Sequence, residues 1–511
     1  MRGYCILILF LSLIFDTSIN AQKRELRAVW IATVNNIDFP ANSSMNVNDM
    51  KADYIRYLDK IRTSGLNTVI VQVRPVADTF YPSGYEPWSR YLTGEQGKSP
   101  QPYFNPLQFM IDAAHERDLD FHAWFNPYRA TMNADTTLLS EKHPFYEHRE
   151  WFVKYGNKYM YNPGEPEARE YVLDAIMEVV RHYDLDAVHF DDYFYPYKVQ
   201  GEVFPDSITY QEHNPNKIET IEDWRRENVD YFVETLSKRI KEERPDVQFG
   251  ISPFGVWRNS DVDPTGSKTK AGITNYDDLY ADVVKWMKRG WLDYVIPQVY
   301  WHRKLGAAPY EEVVKWWNNN SYGTTLYIGH ALYKINKWEA SDEIAAQLDI
   351  NKKYSNVSGS AFFSAKYLFE NPKNIVQTLQ RNYPFYALPP SSLKMDQTPP
   401  SKVRISQTEG DFHKGVKINW EDNTSNSNAK KYIIYRYEDF GYGVLDGQFI
   451  YKIVDKSPYA SQEFIDQNIE KGKKYTYLVT ALSSNKIESN RSNAITVKVG
   501  GFFSNKVKVV H

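Results

Sequence analysis

One feature constrains this chain more than any other. From Glu25 to about Tyr367, short apolar runs of strand length take turns with longer amphipathic stretches. The runs are ELRAVWIATV (from Glu25), TVIVQVRP (from Thr68), DFHAWFNPYR (from Asp120), AVHFDDY (from Ala187), VQFGISPFG (from Val247), DYVIPQVYW (from Asp293), TLYIGHALY (from Thr325) and GSAFFSAKY (from Gly359). Helical patterns such as DMKADYIRYLDKIRTSG and PLQFMIDAAHERD fall between them. Strands that alternate strictly with helices pair in parallel, because each crossover returns the chain to the same end of the sheet. Eight such strands close a barrel, so a (β/α)8 TIM barrel is expected over residues 22–385. Barrels of this kind need roughly 250 residues. The surplus must lie in loops, and the longest follow the second to fifth strands, on the carboxyl-terminal face where barrel enzymes place their sites.

After Phe385 the pattern changes. YPFYALPPSSLKMDQTPPSK is Pro/Ser-rich and predicts a linker over 386–398. The short alternating segments that follow, from KVRISQ to AITVKV, predict an all-β immunoglobulin-like sandwich over 399–500 and a tail over 501–511. Trp420, Tyr475 and Tyr477 fit the buried Trp and the tyrosine position of such a sandwich, which resembles a fibronectin type III module. It is expected to be a spacer or a docking surface for an envelope partner, without catalysis.

At the amino terminus, Arg2, the apolar run CILILFLSLIF and the small residue Ala21 predict a signal peptide over 1–21. The expectation is export to the periplasm or cell envelope, or secretion, with no integral membrane segment after cleavage. Cys5, the one cysteine, lies in that segment, so the mature chain has no disulfide and no thiolate metal site. A formal net charge of -3 gives no reason to expect a nucleic-acid or anionic-membrane partner. Aromatic residues make up 15% of the chain, with 39 Tyr and 13 Trp, and flat rings with a polar edge suit stacking on sugars.

The fourth run ends in VHFDDYFYPY, an apolar strand closed by two aspartates and a row of rings. Adjacent buried carboxylates repel and lose solvation, so they either cap the next segment or do chemistry. Alternation puts His189 and Asp191 on the face toward the barrel axis and Asp192 with Phe190 on the other, unless the strand has already ended. Asp191 therefore ranks ahead of Asp192 as the reacting group. Cleaving a glycosidic bond takes a second carboxyl as acid. The loop after the second strand offers Glu86, between a Tyr and a Pro that could raise its pKa, and more weakly Asp78, among Tyr81, Tyr85 and Trp88. Further binding candidates are Asp78 and Trp88 on that loop and, at strand ends, Gln72 and Arg74, Asn126, Tyr128 and Arg129, His189 and Tyr193, Gln298, Tyr300 and Trp301, and His330. Arg74 could also pair with Asp191. Asp277, Asp278 and Asp282 open a helix and read as dipole partners. No GxGxxG follows the first strand, and no Walker sequence or HExxH is present, so nucleotide and zincin chemistry lack a basis.

RAVWIATV, the QVRP strand with its YPSGYEPWSRYLTG loop, HAWFNPYR, HFDDYFYPY, ISPFGVWRNS and NYDDLYAD with GWLDYVIPQVYW together resemble the bacterial glycosyl-hydrolase-like family ten, over residues 23–382. The resemblance implies a (β/α)8 glycoside hydrolase of the cell envelope. The best-understood member type is a divisome-localised hydrolase that cuts peptidoglycan strands already stripped of stem peptides. Related barrels place a catalytic aspartate at the end of the fourth strand, matching Asp191 or Asp192. The family's EPWS and FNPYR stretches match here and add weight to Glu86, Asn126 and Arg129. Unlike lipid-anchored members, this chain carries no lipobox.

The expectation is thus an exported hydrolase of an N-acetylhexosamine polymer, most of all peptidoglycan lacking stem peptides. Asp191 would be nucleophile or base, Asp192 a positioning group and Glu86 the acid, with no metal or organic cofactor. Three alternatives stay open: a hydrolase of another capsular or dietary polysaccharide, a non-catalytic cell-wall glycan binder, and a metal-dependent deacetylase ligated by His189, Asp191 and Asp192.

Overall fold

The computed structural model describes residues 23–510 apart from 393, 423–426, 439–442 and 502–503, so the expected signal peptide lies outside the described residues. Eight strands close a barrel: Leu26–Ile31 (β1), Thr68–Arg74 (β2), Asp120–Phe125 (β3), Ala187–Phe190 (β4), Gln248–Ile251 (β5), Tyr294–Val295 (β6), Thr325–Ala331 (β7) and Val357–Phe363 (β8). Every neighbouring pair is parallel, and β1 closes the ring by pairing with both β2 and β8. Each apolar run read from the sequence supplies one strand.

Alternation sorts the side chains into two layers. Val29, Val69, Val71, Phe121, Val188 and Phe190 pack outward against the helices. Trp30, Ile70, Trp124, Tyr294 and Tyr327 fill the interior. That filling depends on a bare backbone at Gly250 of β5, where a Cβ would stand 2.1 Å from the Tyr294 ring. Strand β6 is only two residues long because Pro297 has no N–H to continue the ladder.

The insertion after β3 contains a hairpin, Phe152–Tyr155 paired with Lys158–Tyr161, that the sequence reading missed. It is fastened to the segment leaving β3: Tyr161 N donates to Tyr128 O (2.8 Å), and Ala130 N and Thr131 N both donate to Tyr159 O (3.2 and 3.1 Å). This places Lys158 over the barrel mouth.

The carboxyl-terminal part is a sandwich of Arg404–Asp411 (β9), Gly415–Glu421 (β10), Ala429–Glu438 (β11), Ile450–Asp455 (β12), Ser461–Asp466 (β13), Lys474–Ser483 (β14), Ile495–Val499 (β15) and Val507–Val510 (β16). One sheet runs β9-β10-β13 and the other β12-β11-β14-β15-β16, with antiparallel pairing throughout. Trp420 is fully buried between them, and Tyr475 Oη accepts a hydrogen bond from Glu470 N (3.0 Å). The tail expected over 501–511 needs correction. Val507–Val510 is the edge strand of the larger sheet, because without it the polar backbone of β15 would be left unpaired.

The sandwich packs on the amino-terminal end of the barrel, opposite the loops that carry the site. Lys486 reaches from it to Asp120 Oδ1 and Asp186 Oδ1, both at 2.8 Å, just where β3 and β4 begin. Burial pushes the Asp120 carboxyl up. Against the same burial, Lys486 and His115 hold Asp186 well below its ordinary value. Replacing the lysine leaves two carboxylates facing each other, a change that costs about 2 kcal/mol or more for a nearly buried pair. Lys486→Met should therefore lower the melting temperature at pH 8. The loss should shrink toward pH 5, where one of the stranded carboxylates takes up a proton. An equal loss at both pH values would show that packing, not charge, holds this junction.

Candidate active site

Strand β4 stops at Phe190, so alternation no longer governs the next two residues. Asp191 and Asp192 both turn into a cavity of about 560 Å³ at the carboxyl-terminal mouth of the barrel. They are the only carboxylates that line it among the described residues. Both are almost wholly buried, 6% and 3% exposed, and must be held by hydrogen bonds.

Asp191 is fixed by a relay that starts two strands away. The backbone N–H groups of Thr33 and Val34 donate to Gln72 Oε1 (3.0 and 2.9 Å). Gln72 Nε2 then donates to Asn126 Oδ1, and Asn126 Nδ2 donates to Asp191 Oδ2, each at 2.5 Å. Trp124 Nε1 and Tyr193 N add hydrogen bonds of 3.2 Å. Asp192 accepts from Gln298 Nε2 at 3.1 Å and from the Tyr197 hydroxyl.

The two carboxyls are thereby made unequal. Burial raises both pKa values, but Arg129 and the donors around Asp191 work against it there. Asp192 is pushed up to about 6, by burial first and then by the charge on Asp191. Asp191 thus ionises first, and Asp192 keeps a proton into the weakly acidic range. Two carboxyls driven apart in this way can serve as an acid and a charged partner.

The floor beneath them is neutral. The Trp30 indole can only donate, so its contact with His189 Nε2 (3.3 Å) makes that nitrogen an acceptor. His189 Nδ1 then donates to Tyr294 Oη (3.1 Å), which donates to His122 Nδ1 (2.9 Å). Burial holds His122 down to about 4 and His189 well below its ordinary value.

Of the residues expected from the sequence, Gln72, Arg129, Tyr193, Gln298, Tyr300 and Trp301 line the cavity with the aspartate pair. Asn126 acts from behind, through Asp191. The rest lie elsewhere. Glu86, expected as the acid, is fully buried outside the cavity. Arg74 grips it with Nε to Oε2 (2.6 Å) and a second nitrogen to Oε1 (2.5 Å), and the Tyr161 hydroxyl adds a third bond (3.1 Å). Arg74 accordingly partners Glu86 and not Asp191. Asp78 faces a different hollow, accepts from Gln96 Nε2 (3.1 Å), and is pushed up to about 6 by burial. Trp88 stands edge-on to Tyr103, and the Tyr128 ring packs on Phe232 outside the barrel wall. His189 lies under the floor. His330 faces outward, to Gln347 Oε1 (2.9 Å) and Ser360 Oγ (3.1 Å), because it sits on the helix-facing side of β7.

The metal ligand set of His189, Asp191 and Asp192 is not assembled, since both His189 nitrogens are taken, Nε2 also meeting Ser252 Oγ at 3.0 Å. Among the described residues no three His, Cys, Asp or Glu side chains gather to hold a metal ion. Sequence reasoning missed Trp124, Tyr197, Lys158, Tyr333, Lys334 and Phe363. Trp124 was legible, two residues before Asn126 on the inward face; Tyr197 closes the stretch that carries the aspartates, Phe363 ends β8, Tyr333 and Lys334 follow β7, and Lys158 comes from the hairpin after β3.

A closed parallel barrel with a buried, unequal carboxyl pair at its carboxyl-terminal mouth has its polar site where barrel enzymes place theirs. The chain belongs to the glycosyl hydrolase-like 10 family, whose model matches residues 25–345. It is 45% identical over 490 residues to the glycosyl hydrolase YngK of Bacillus subtilis, covering 93% of this chain and 94% of that one. It is 37% identical over 375 residues to the glycosyl hydrolase DigH of Escherichia coli K12, covering 68% and 84%. Among solved structures, the glycoside hydrolase domain of PgaB (BpsB) from Bordetella bronchiseptica aligns with 70% of this chain and 98% of its own at 11% identity, with a TM-score of 0.46.

Proposed function

We propose that the chain is an exported glycoside hydrolase that cuts a polymer of 2-acetamido sugars, in the first place peptidoglycan strands free of stem peptides, with the acetamido group of the substrate taking part in the reaction. One observation carries this reading: among the described residues the cavity has two carboxyls, and they are neighbours on one strand end. Retaining and inverting enzymes of the common type need carboxyls on opposite sides of the sugar, about 5 to 9.5 Å apart. Consecutive residues of one strand end favour a nucleophile supplied from elsewhere, and a 2-acetamido oxygen is suitably placed on the sugar itself.

In the first step the neutral Asp192 donates its proton to the glycosidic oxygen. The C1–oxygen bond breaks as the acetamido oxygen bonds to C1, and Asp191, still charged, accepts a hydrogen bond from the acetamido N–H, whose acidity grows. In the second step Asp192, now a carboxylate, takes a proton from water as the water oxygen bonds to C1 and the acetamido oxygen leaves. Two displacements retain the anomeric configuration. Tyr193, Tyr300 and Trp301 offer ring faces for the sugars. The sandwich, with its buried Trp420 and its tyrosine hydroxyl bonded back to the chain, suits a fibronectin-type spacer or envelope-docking module away from the cavity.

The test is the product. Purified protein should release peptide-free oligosaccharides from amidase-treated wall and not from intact wall, and proton NMR of a β-linked substrate should show the β-anomer forming first. An α-anomer first would overturn acetamido participation, and release from another polysaccharide alone would overturn the wall substrate.

A further inference from the structure

The cavity also holds two cations, Arg129 and Lys158, that no carboxylate pairs directly among the described residues. Arg129 leaves the end of β3 and is 7% exposed. Its guanidinium lies over the Tyr193 ring, 4.5 Å from the centroid, with a single long hydrogen bond to Pro75 O (3.5 Å). Lys158, half-buried on the hairpin that is fastened to that same segment, lines the same cavity. Neither makes an ion pair within 4.0 Å among the described residues. A third cation there, Lys334, is engaged differently, with its ammonium on Tyr300 O (2.9 Å).

Two unpaired cations brought together out of water are costly, through lost hydration and mutual repulsion. Lys158 registers both: burial first and then the charge of Arg129 hold its pKa below the ordinary value. The Tyr193 ring offsets part of this cost for Arg129, but no carboxylate within 4.0 Å among the described residues offsets it for either cation. An anion entering the cavity would relieve it. A guanidinium presents paired donors that match a carboxylate, and an ammonium beside it adds charge and further donors.

We infer that Arg129 and Lys158 form a subsite for a carboxylate carried by the glycan, next to the sugar held at Asp191. This rests on the reading of the cavity as a 2-acetamido glycan site and narrows it to an acidic polymer. The carboxylate could belong to a lactyl ether on an amino sugar or to a uronic acid. In the first case it must be free, because a peptide joined to it through an amide would cancel the charge and fill the pocket.

Binding without turnover tests this. The full chain carrying Asp192→Asn would be titrated by calorimetry with three oligosaccharides of equal length: peptide-free muramyl glycan, an alternating N-acetylhexosamine–uronate glycan, and neutral chitin oligomer. At low salt at least one acidic glycan should bind about tenfold tighter than the neutral one or better, and the advantage should fall as salt is raised. Which acidic glycan binds tells lactyl ether from uronate. Adding Lys158→Met should remove most of the advantage and Lys158→Arg should keep it; Lys158 is half-exposed, and circular dichroism verifies the fold of each variant. Equal affinity for acidic and neutral glycans, or an advantage that survives Lys158→Met, overturns the subsite while leaving the glycan reading in place. Failure of all three to bind overturns both.

Discussion

Asp192→Asn should lower kcat by roughly 10³–10⁴-fold while leaving substrate affinity close to that of the native chain. The asparagine keeps the size of the side chain and can still bond to Gln298 and Tyr197, but it has no proton to give to a leaving oxygen. The native pH profile should carry the same signature. Because Asp192 must be protonated and is pushed up to about 6, kcat should fall as pH rises through about 6. Asp191→Asn should act differently, flattening the rate without moving that limb upward, since it removes the neighbouring charge that helps to hold the Asp192 proton. If Asp191→Asn proves the more damaging and the acid limb survives in Asp192→Asn, the roles are reversed.

The same substitution should stabilise the protein, with a definite sign. A carboxyl whose folded pKa lies above its unfolded value binds its proton more tightly in the native state. Its contribution favours folding at pH 4 and is lost as pH rises through about 6, by an amount on the order of 2–3 kcal/mol. Asparagine has no such loss. Asp192→Asn should thus melt higher than the native chain at pH 8 and nearly level with it at pH 4. The strain of a buried carboxyl pair is the kind of cost that catalysis retains.

What could be read from the sequence, and what could not, divides along a physical line. Strands buried on both faces announce themselves as apolar runs, and the two-residue period carried the reading as far as His189 pointing into the barrel and Phe190 out of it. It failed at Asp192, which shares the cavity with Asp191 because the strand had ended, and a strand end is set by a broken hydrogen-bond ladder, which composition does not record. Glu86 shows the other limit. Its local setting of rings and proline suited an acid, but its place is decided by the ion pair with Arg74, twelve residues earlier and across a loop closure. Lys158 had no signal at all. It matters through the hairpin that brings it beside Arg129, and an ordinary lysine in YGNKYMY looks like any exposed one.

Arg74 is where the fold and the site depend on one side chain. Its nitrogens bond to both oxygens of Glu86 and to the backbone carbonyls of Asn126 and Pro127, with both partners of the ion pair fully buried. Glu86 in turn holds Tyr161 of the hairpin, and Asn126 holds Asp191. Arg74→Met should therefore cost about 3–5 kcal/mol, because it strands a buried carboxylate and frees two carbonyls. It should also lower kcat through the loosened Asn126, even at temperatures where the variant is folded. Glu86→Gln in the same chain removes the stranded charge, so the double variant should recover a large part of the stability, measured as the denaturation midpoint. Activity should not recover with it, since neither change restores the bonds from Arg74 to the Asn126 and Pro127 carbonyls. Parallel recovery of both would mean that Asn126 is positioned by β3 alone, and that Arg74 serves the fold without serving the carboxyl pair.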